Sequence, residues 1–354
     1  MSGLEVGNSA AFSVAGRLQF ISLFFDKLIG HVPRQYYLMD THKTSINIAL
    51  AFDDKYITPF YVLLTSLFQN NRQHTIEIHV IVSGINQEAK DAITEYVNSN
   101  HNKIIFYEVD TDYISKLVLP DNEENYLTGA IYYRLFFPFL VSEAVERLLY
   151  IDVDTLVVGD LAGLATLDLA GKPVGAVTDT DMPVRTDLGI HSVEEYFNSG
   201  VLLMDIAMWK AQSISEKALK IIGEQPERIR GYPDQDALNM ALQDNWYKLT
   251  AKYNLMRLYV PDEVPKRQFA NFLKDQKIIH YNGKKPWFSD CEHRLRHVYQ
   301  QYAQLSLRPE AAHIAKVKLS KEKQRKLSRS RMVEFYFDHP ELVALWRKLK
   351  AMVS

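Results

Sequence analysis

The sequence predicts an α/β fold: a Rossmann-like, mostly parallel central sheet flanked by helices, with a basic helical tail at the C-terminal end. Three observations predict it. Apolar runs of strand length alternate with segments of helical periodicity over residues 46–109, the pattern of parallel strands joined by crossovers. A later apolar run, Leu148 to Ile151, ends abruptly in Asp152-Val153-Asp154. And 354 residues with 47% hydrophobic and 24% charged side chains match an ordinary globular chain able to bury a sizeable core.

The elements follow in order. Ile46 to Phe52 is a short apolar strand closed by Asp53-Asp54, and Pro59 to Phe68 is a helix with Phe60, Leu63, Leu64, Leu67 and Phe68 apolar. Ile76 to Val82 alternates as a strand, Gln87 to Val97 is helical, and Lys103 to Val109 is a third strand. A helix is expected over Gly129 to Phe137, ahead of the strand that ends in Asp152. Val174 to Thr178 is a short strand, and Phe197 to Asp205 reads as a turn feeding a strand. Ile214 to Ile222 and Asp234 to Leu242 are helical, and Ile278 to Tyr281 closes the set. Before residue 45 the one regular feature is a helix candidate over Leu18 to Ile29. Open sheets of this class bind ligands at the carboxyl ends of their strands, where Asp53, Asp152 and His280 are expected.

Side chains alternate along a strand, so Asp152 and Asp154 are expected on one face at its end. Two like charges buried there are costly unless a cation neutralises them. Hard carboxylate oxygens suit Mg²⁺ or Mn²⁺, which also hold phosphates. The pair fits the Asp-X-Asp of metal-dependent glycosyltransferases. With Thr155 it also fits the Asp-X-Asp-X-Thr of phosphohydrolases, where Asp152 would attack phosphate. A plain surface turn with two solvated carboxylates is the third reading.

Six blocks in order decide among these. They are Asn47 to Tyr56, Tyr132-Tyr133-Arg134-Leu135, Leu149 to Asp154, Phe197 to Leu203, Asp234-Gln235-Asp236, and His280 to Trp287. Together they resemble the family 8 glycosyltransferases, over about residues 46–300, and among these the bacterial galactosyl- and glucosyltransferases that extend lipopolysaccharide and other surface glycans. The phosphohydrolase reading leaves the Asp53, Asn198 and His280 blocks unexplained. A non-catalytic sugar-nucleotide binder would be signalled by a lost metal ligand, and none is lost.

The resemblance implies a GT-A type catalytic domain over residues 45–305 and retaining transfer of galactose or glucose from a UDP-sugar to a glycan or lipid-linked oligosaccharide. Asp152, Asp154 and His280 would hold Mn²⁺, with Mg²⁺ as the alternative. Tyr56 would stack on uracil and Asp53 would accept its N–H. Arg134, Asn198, Asp234 and Gln235 would bind the transferring sugar, with Gln235 and Asp234 as the catalytic candidates and Gln235 near the reacting carbon. Gly283 and Lys285 would meet the diphosphate. One residue rather than two separates Gly283 from Lys285-Pro286-Trp287, so Lys284 shares that candidacy. Asp179, Asp181 and Asp187 have two readings, ligand contacts or solvated loop carboxylates, and the second is the expectation.

Charge is unevenly spread. From Arg308 to Ser354 there are 12 Lys and Arg against 5 Asp and Glu, inside a chain whose net charge is −2. Phe335, Tyr336, Phe337, Leu342, Leu345 and Trp346 accompany this charge. A basic amphipathic tail over residues 306–354, bound to an anionic membrane surface, is expected. No nucleic-acid motif accompanies it. Cys291 is the single cysteine, which excludes an internal disulfide. No apolar run reaches the roughly 18 residues of a membrane span, and no signal peptide is recognisable. The expected location is cytoplasmic, peripheral on the inner face of the membrane. Residues 1–44 form an N-terminal extension to which the sequence assigns no role.

Overall fold

The computed structural model of the protein describes residues 44–109, 117, 129–229 and 231–344. The expected helix over Leu18 to Ile29 and the aromatic and basic residues from Leu345 onward lie outside the described residues.

Among the described residues, seven strands form the central sheet. They are β1 (Ser45–Asp53), β2 (Thr75–Ser83), β3 (Lys103–Tyr107), β4 (Arg147–Ile151), β6 (Val174–Thr178), β7 (Phe197–Asp205) and β8 (Tyr247–Lys248), in the order β3-β2-β1-β4-β7-β6-β8. β5 (Thr155–Val157) and β9 (Ile278–His280) pair antiparallel in a small second sheet. β1 runs parallel to β2 and β4, and β2 parallel to β3. Their apolar sequences follow from burial on both faces. One core lies on the face of Ile46, Ile48, Leu50 and Phe52; a second lies on the face of Ala49, Leu148 and Tyr150.

β7 is reversed, antiparallel to both β4 and β6. Its start therefore lies at the carboxyl edge of the parallel strands. That reversal carries Asn198 to the same edge as Asp53 and Asp152. Between Ala176↔Leu202 and Val177↔Asn198 the register with β6 shifts, so residues 199–201 have no partner in β6. A bulge of this kind turns backbone groups over to other uses.

Helix α1 (Ile57–Asn70) is buried from Pro59 to Phe68. It lies between the sheets: Phe60, Leu63, Leu64 and Leu67 join the core of β1, whereas Val62 joins Leu156 and Ile279. The Val157 N–H donates to Ser66 Oγ at 3.0 Å, and Asn70 Nδ2 donates to the Val157 carbonyl at 3.0 Å. These bonds tie the second sheet to α1. Helices α2 (Gln87–Ser99), α3 (Ile214–Glu224), α4 (Pro233–Leu242) and α5 (Arg296–Leu305) complete the frame.

Four local expectations are corrected. Asp152 and Asp154 do not share a strand face: β4 ends at Ile151, and Asp152-Val153-Asp154 turns from the main sheet into β5. Phe197 opens a strand rather than a turn, because its backbone pairs with Thr178. Gly129–Leu135 is a 3₁₀ helix, followed by a short α-helix at Phe137–Leu140. His280 ends a strand of the second sheet, not of the main one.

The tail also differs from a free amphipathic helix. Helix α6 (Lys321–Asp338) buries a single residue, Glu334. Glu334 takes both Arg296 guanidinium nitrogens, at 3.0 and 2.9 Å. Asp338 pairs with Lys266 at 3.2 Å and Arg294 at 3.3 Å. Arg331 donates to the Cys291 carbonyl at 2.6 Å. The inward face thus docks through charge, whereas Met332, Val333, Phe335 and Tyr336 are exposed. Among the described residues no helix is long and apolar enough to cross a membrane.

Candidate active site

A cavity of about 500 Å³ opens at the carboxyl edge of the sheet. Asp53, Tyr56, Arg134, Asp152, Asp154, Asn198, Asp234, Gln235, His280, Gly283 and Lys284 all line it.

Its floor is the turn after β4. The Asp152 N–H donates to the Gly200 carbonyl at 2.8 Å, which carries the β4–β7 pairing one residue beyond the strand. Asp152 therefore stands opposite Gly200. A Cβ on Gly200 would lie 2.7 Å from Asp152 Oδ2 and closer still to the His280 ring, so any larger residue must displace both side chains. Asp152 Oδ1 accepts from Tyr150 Oη at 2.7 Å and from Arg134 at 3.0 Å. Thr155 Oγ1 donates to the Asp152 carbonyl at 2.8 Å and closes the turn.

Asp154 faces His280 Nε2 at 3.4 Å and accepts from Lys285 Nζ. Burial alone would raise its pKa; Lys285 and His280 outweigh that and hold the carboxyl far below the usual range. Conversely, burial would lower the Lys285 pKa, and Asp154 and Tyr56 reverse it to a net rise. One ligand atom each from Asp152, Asp154 and His280 lies within 4.8 Å of the others. Two carboxylates and an imidazole, pressed against a glycine that leaves room for them, suit a divalent cation.

Arg134 is buried behind this corner. It donates to the Ser199 carbonyl at 2.6 Å and Ser199 Oγ at 2.8 Å, and its Nε lies 3.2 Å from Asp234 Oδ2. Its guanidinium lies 4.7 Å from the Tyr150 ring centre. Burial works against the Arg134 charge, but Asp152 and Asp234 more than restore it. Burial, with Asp152 adding, lifts the Asp234 pKa above the usual range against the pull of Arg134.

Gln235 stands in the first turn of α4. Its Oε1 accepts from the Ser199 N–H at 2.9 Å and from Asn198 Nδ2 at 3.2 Å; its Nε2 donates to Asp179 Oδ2 at 3.3 Å. The freed backbone of the β7 bulge supplies that Ser199 N–H. Asp179 is buried inside this network, not solvated, because Asn198 Nδ2 also donates to it at 3.0 Å. Asp181 lines the cavity, and Asp187 is exposed and pairs with Arg185.

At the entrance, Asp53 Oδ1 accepts from the Lys55 N–H at 3.1 Å and caps the turn carrying Tyr56. Burial pushes the Tyr56 hydroxyl up to about 12, with Lys285 opposing. The Tyr56 ring meets Trp287 edge-on at 6.0 Å. Gly283 takes φ +79°, a left-handed turn that favours glycine. Lys285 stands behind the wall on Asp154, whereas Lys284 lines the wall, 3.7 Å from Asp290.

A model of the family described as Glycosyl transferase family 8 matches residues 47–291. The chain belongs to glycosyl transferase family 8. General stress protein A of Bacillus subtilis (strain 168) is 32% identical over 268 residues, covering 73% of this chain and 92% of that protein. Lipopolysaccharide 1,2-glucosyltransferase of Escherichia coli (strain K12) is 30% identical over 251 residues, covering 68% of this chain and 72% of that one. Among solved structures, an active-site glutamine-to-glutamate mutant of LgtC matches with a TM-score of 0.64 and 23% identity, over 79% of this chain and all of LgtC. That likeness shows the GT-A fold. The protein is a glycosyltransferase, and the phosphohydrolase reading of Asp152 falls with that assignment.

Several residues of this candidate site carried no assignment from sequence. Tyr150, Ser199 and Gly200 lie inside the resembling blocks, but nothing local gives them a role. Asp179 was placed in solvent. Tyr232, half exposed on the cavity rim, and Asn254, fully buried beside His280, lie outside every block. The pairing of distant strands is what brings them in.

Proposed function

We propose that the protein is a retaining α-hexosyltransferase that moves glucose or galactose from a UDP-sugar to a surface-glycan acceptor such as lipopolysaccharide core, with Mn²⁺ as its metal. One observation carries this reading: Asp152, Asp154 and His280 converge at the floor of a cavity whose wall holds Arg134, Asn198, Asp234 and Gln235. Similarity to a lipopolysaccharide glucosyltransferase supports a hexose donor. The fold neighbour LgtC is described as a galactosyltransferase bound to donor and acceptor sugar analogs, so both hexoses belong in the test.

In this reading Tyr56 and Asp53 hold the uracil at the entrance. Asp152, Asp154 and His280 hold the ion, which when bound polarises the diphosphate leaving group. Lys284 on the wall and Lys285 behind Asp154 add positive charge toward the departing diphosphate. Arg134, Asn198 and Asp234 fix the sugar. The Gln235 oxygen already accepts hydrogen bonds from Asn198 and Ser199, which leaves it a poor nucleophile. That supports same-face attack, with a diphosphate oxygen taking the acceptor proton, over a covalent intermediate. Tyr232 stands half exposed on the cavity rim, within reach of a bound glycan.

The tail is proposed to hold the enzyme on an anionic membrane surface, at the inner face of the cytoplasmic membrane. Its inward carboxylates are used on Arg294 and Arg296. Lys321, Arg325 and Arg329 line one exposed surface together with Met332.

A panel of UDP-sugars read by UDP release tests the donor and the metal. EDTA should abolish release and Mn²⁺ restore it; full activity in EDTA rejects the metal. A β-linkage in the product, read by NMR, rejects retention from an α-linked donor. Equal sedimentation with anionic vesicles at low and high salt rejects the electrostatic tail.

A further inference from the structure

A chain of hydrogen bonds whose direction is set by one backbone amide runs beneath the metal corner, and we propose that Asn254 is the positioning residue that, through this chain, holds His280 as the tautomer able to bind a divalent cation. The proposal rests on the reading of Asp152, Asp154 and His280 as a metal site.

Side-chain amides and imidazoles can be turned end for end, so their polarity has to be anchored on a group that cannot. The Gly200 N–H is such a group: it only donates. It donates to Asn198 Oδ1 at 3.0 Å, which fixes the oxygen end of that amide. The other end agrees, since Asn198 Nδ2 lies 3.0 Å from the Asp179 carboxylate. The Asn198 oxygen lies 2.9 Å from the Asn254 side chain, which must present its NH₂ group there. Asn254 therefore turns its oxygen to His280 Nδ1, at 2.9 Å. An amide oxygen only accepts, so Nδ1 carries the proton. In the neutral ring the lone pair is then on Nε2, the nitrogen 3.4 Å from Asp154.

The backbone holds Asn254 in place. It follows the short turn Ala251–Tyr253, and its own N–H donates to the Ala251 carbonyl at 3.0 Å. The next residue brackets β9: the Leu255 N–H donates to Ile278 at 2.8 Å, and its carbonyl accepts from the His280 N–H at 3.1 Å. The side chain is fully buried. It joins the metal corner to Asn198, and through it to Gln235 on the sugar side. Among the amino acids of this size, only asparagine both donates to Asn198 and accepts from His280. Aspartate keeps the second bond and loses the first; leucine loses both. A partner on the far nitrogen of a ligating histidine commonly sets the ring's tautomer and the metal affinity.

The test uses the full chain. Nitrogen-15 NMR of histidine-labelled, metal-free protein reads the tautomer directly, and His280→Gln identifies the signal. The expected state is Nδ1–H; an Nε2–H ring in the unmodified protein overturns the proposal. Manganese EPR titration then reads affinity. Asn254→Leu should bind Mn²⁺ roughly 10- to 100-fold more weakly. Asn254→Asp should retain Mn²⁺ binding while KM for the UDP-sugar rises, a split that general loosening of the fold would not produce. If the unmodified chain and His280→Gln bind Mn²⁺ equally, the metal reading fails. If His280 contributes but Asn254→Leu and Asn254→Asp both bind like the unmodified chain, only the Asn254 proposal fails.

Discussion

The metal corner and the docked C-terminal helix are built from the same ion-pairing residues, with opposite charge balance. In the corner, Asp152, Asp154 and Asp234 face two cations, Arg134 and Lys285. At the helix, Glu334 and Asp338 face Lys266, Arg294, Arg296 and Arg331. The helix contact is closed, with each carboxylate satisfied by its own partners. The corner keeps an excess of negative charge in a concave, largely buried place, where it is costly unless a further cation arrives. One arrangement is a clasp, and the other is a receptor for positive charge.

The largest expected effect that would break this comparison is at Arg134. Arg134→Ala leaves buried Asp234 and partly buried Asp152 without their shared cation and should cost about 3–5 kcal/mol in urea unfolding, with turnover lost. A loss as small as that of a surface pair would show that the corner is not under electrostatic load.

Gly200→Ala comes next. The added methyl collides with Asp152 Oδ2 and the His280 ring. Overpacking of this kind costs about 1–3 kcal/mol. The folded protein should lose Mn²⁺ binding, read by EPR, more completely than it loses stability. Retained binding would mean that the three ligands can spread without harm.

Asp152→Asn sharpens the contrast. The amide oxygen can still accept from Tyr150 and Arg134, so stability should change by no more than about 1 kcal/mol. The negative excess falls by one charge, so Mn²⁺ affinity and donor turnover should drop at least tenfold, about 1.4 kcal/mol. Parallel losses in stability and metal binding would argue that Asp152 is structural, like Glu334.

The smallest effect belongs to the clasp. Burial alone would raise the Asp338 pKa; its bonds to Lys266 and the nearby Arg294 outweigh that and hold it below the usual range. A carboxyl depressed in the folded state stabilises fully above its unfolded pKa, near 3.9, and the contribution disappears as pH falls through the folded value. Asp338→Asn should therefore lose at most about 1 kcal/mol at pH 7, with that gap closing below about pH 4. UDP release should be unchanged. A gap that persists at low pH would assign the loss to packing instead.

Much of the fold was legible because its signals are local. Strand and helix periods over residues 46–109, the acidic stop after Ile151, and the order of six short blocks all lie along the chain. They located Asp53, Arg134, Asp152, Asp154, Asn198, Gln235 and His280, which the fold gathers around one cavity. The same local signals misplaced what depends on neighbours distant in sequence. Alternation put Asp152 and Asp154 on one strand face, yet α1 draws the chain away into a second sheet at that point. A charge-rich loop suggested a solvated Asp179, yet the bulge in β7 buries it against Asn198 and Gln235.

Composition and periodicity by themselves determined the α/β class, and the ordered blocks determined the family, because residue type and spacing are written in the chain. The tertiary structure alone decided that a side chain at Gly200 would press on Asp152 and His280, that Asn254 sits beneath His280, and that the C-terminal helix docks by its carboxylates. Each of those depends on strand register or on a contact between residues tens of positions apart, and no local pattern encodes where such partners meet.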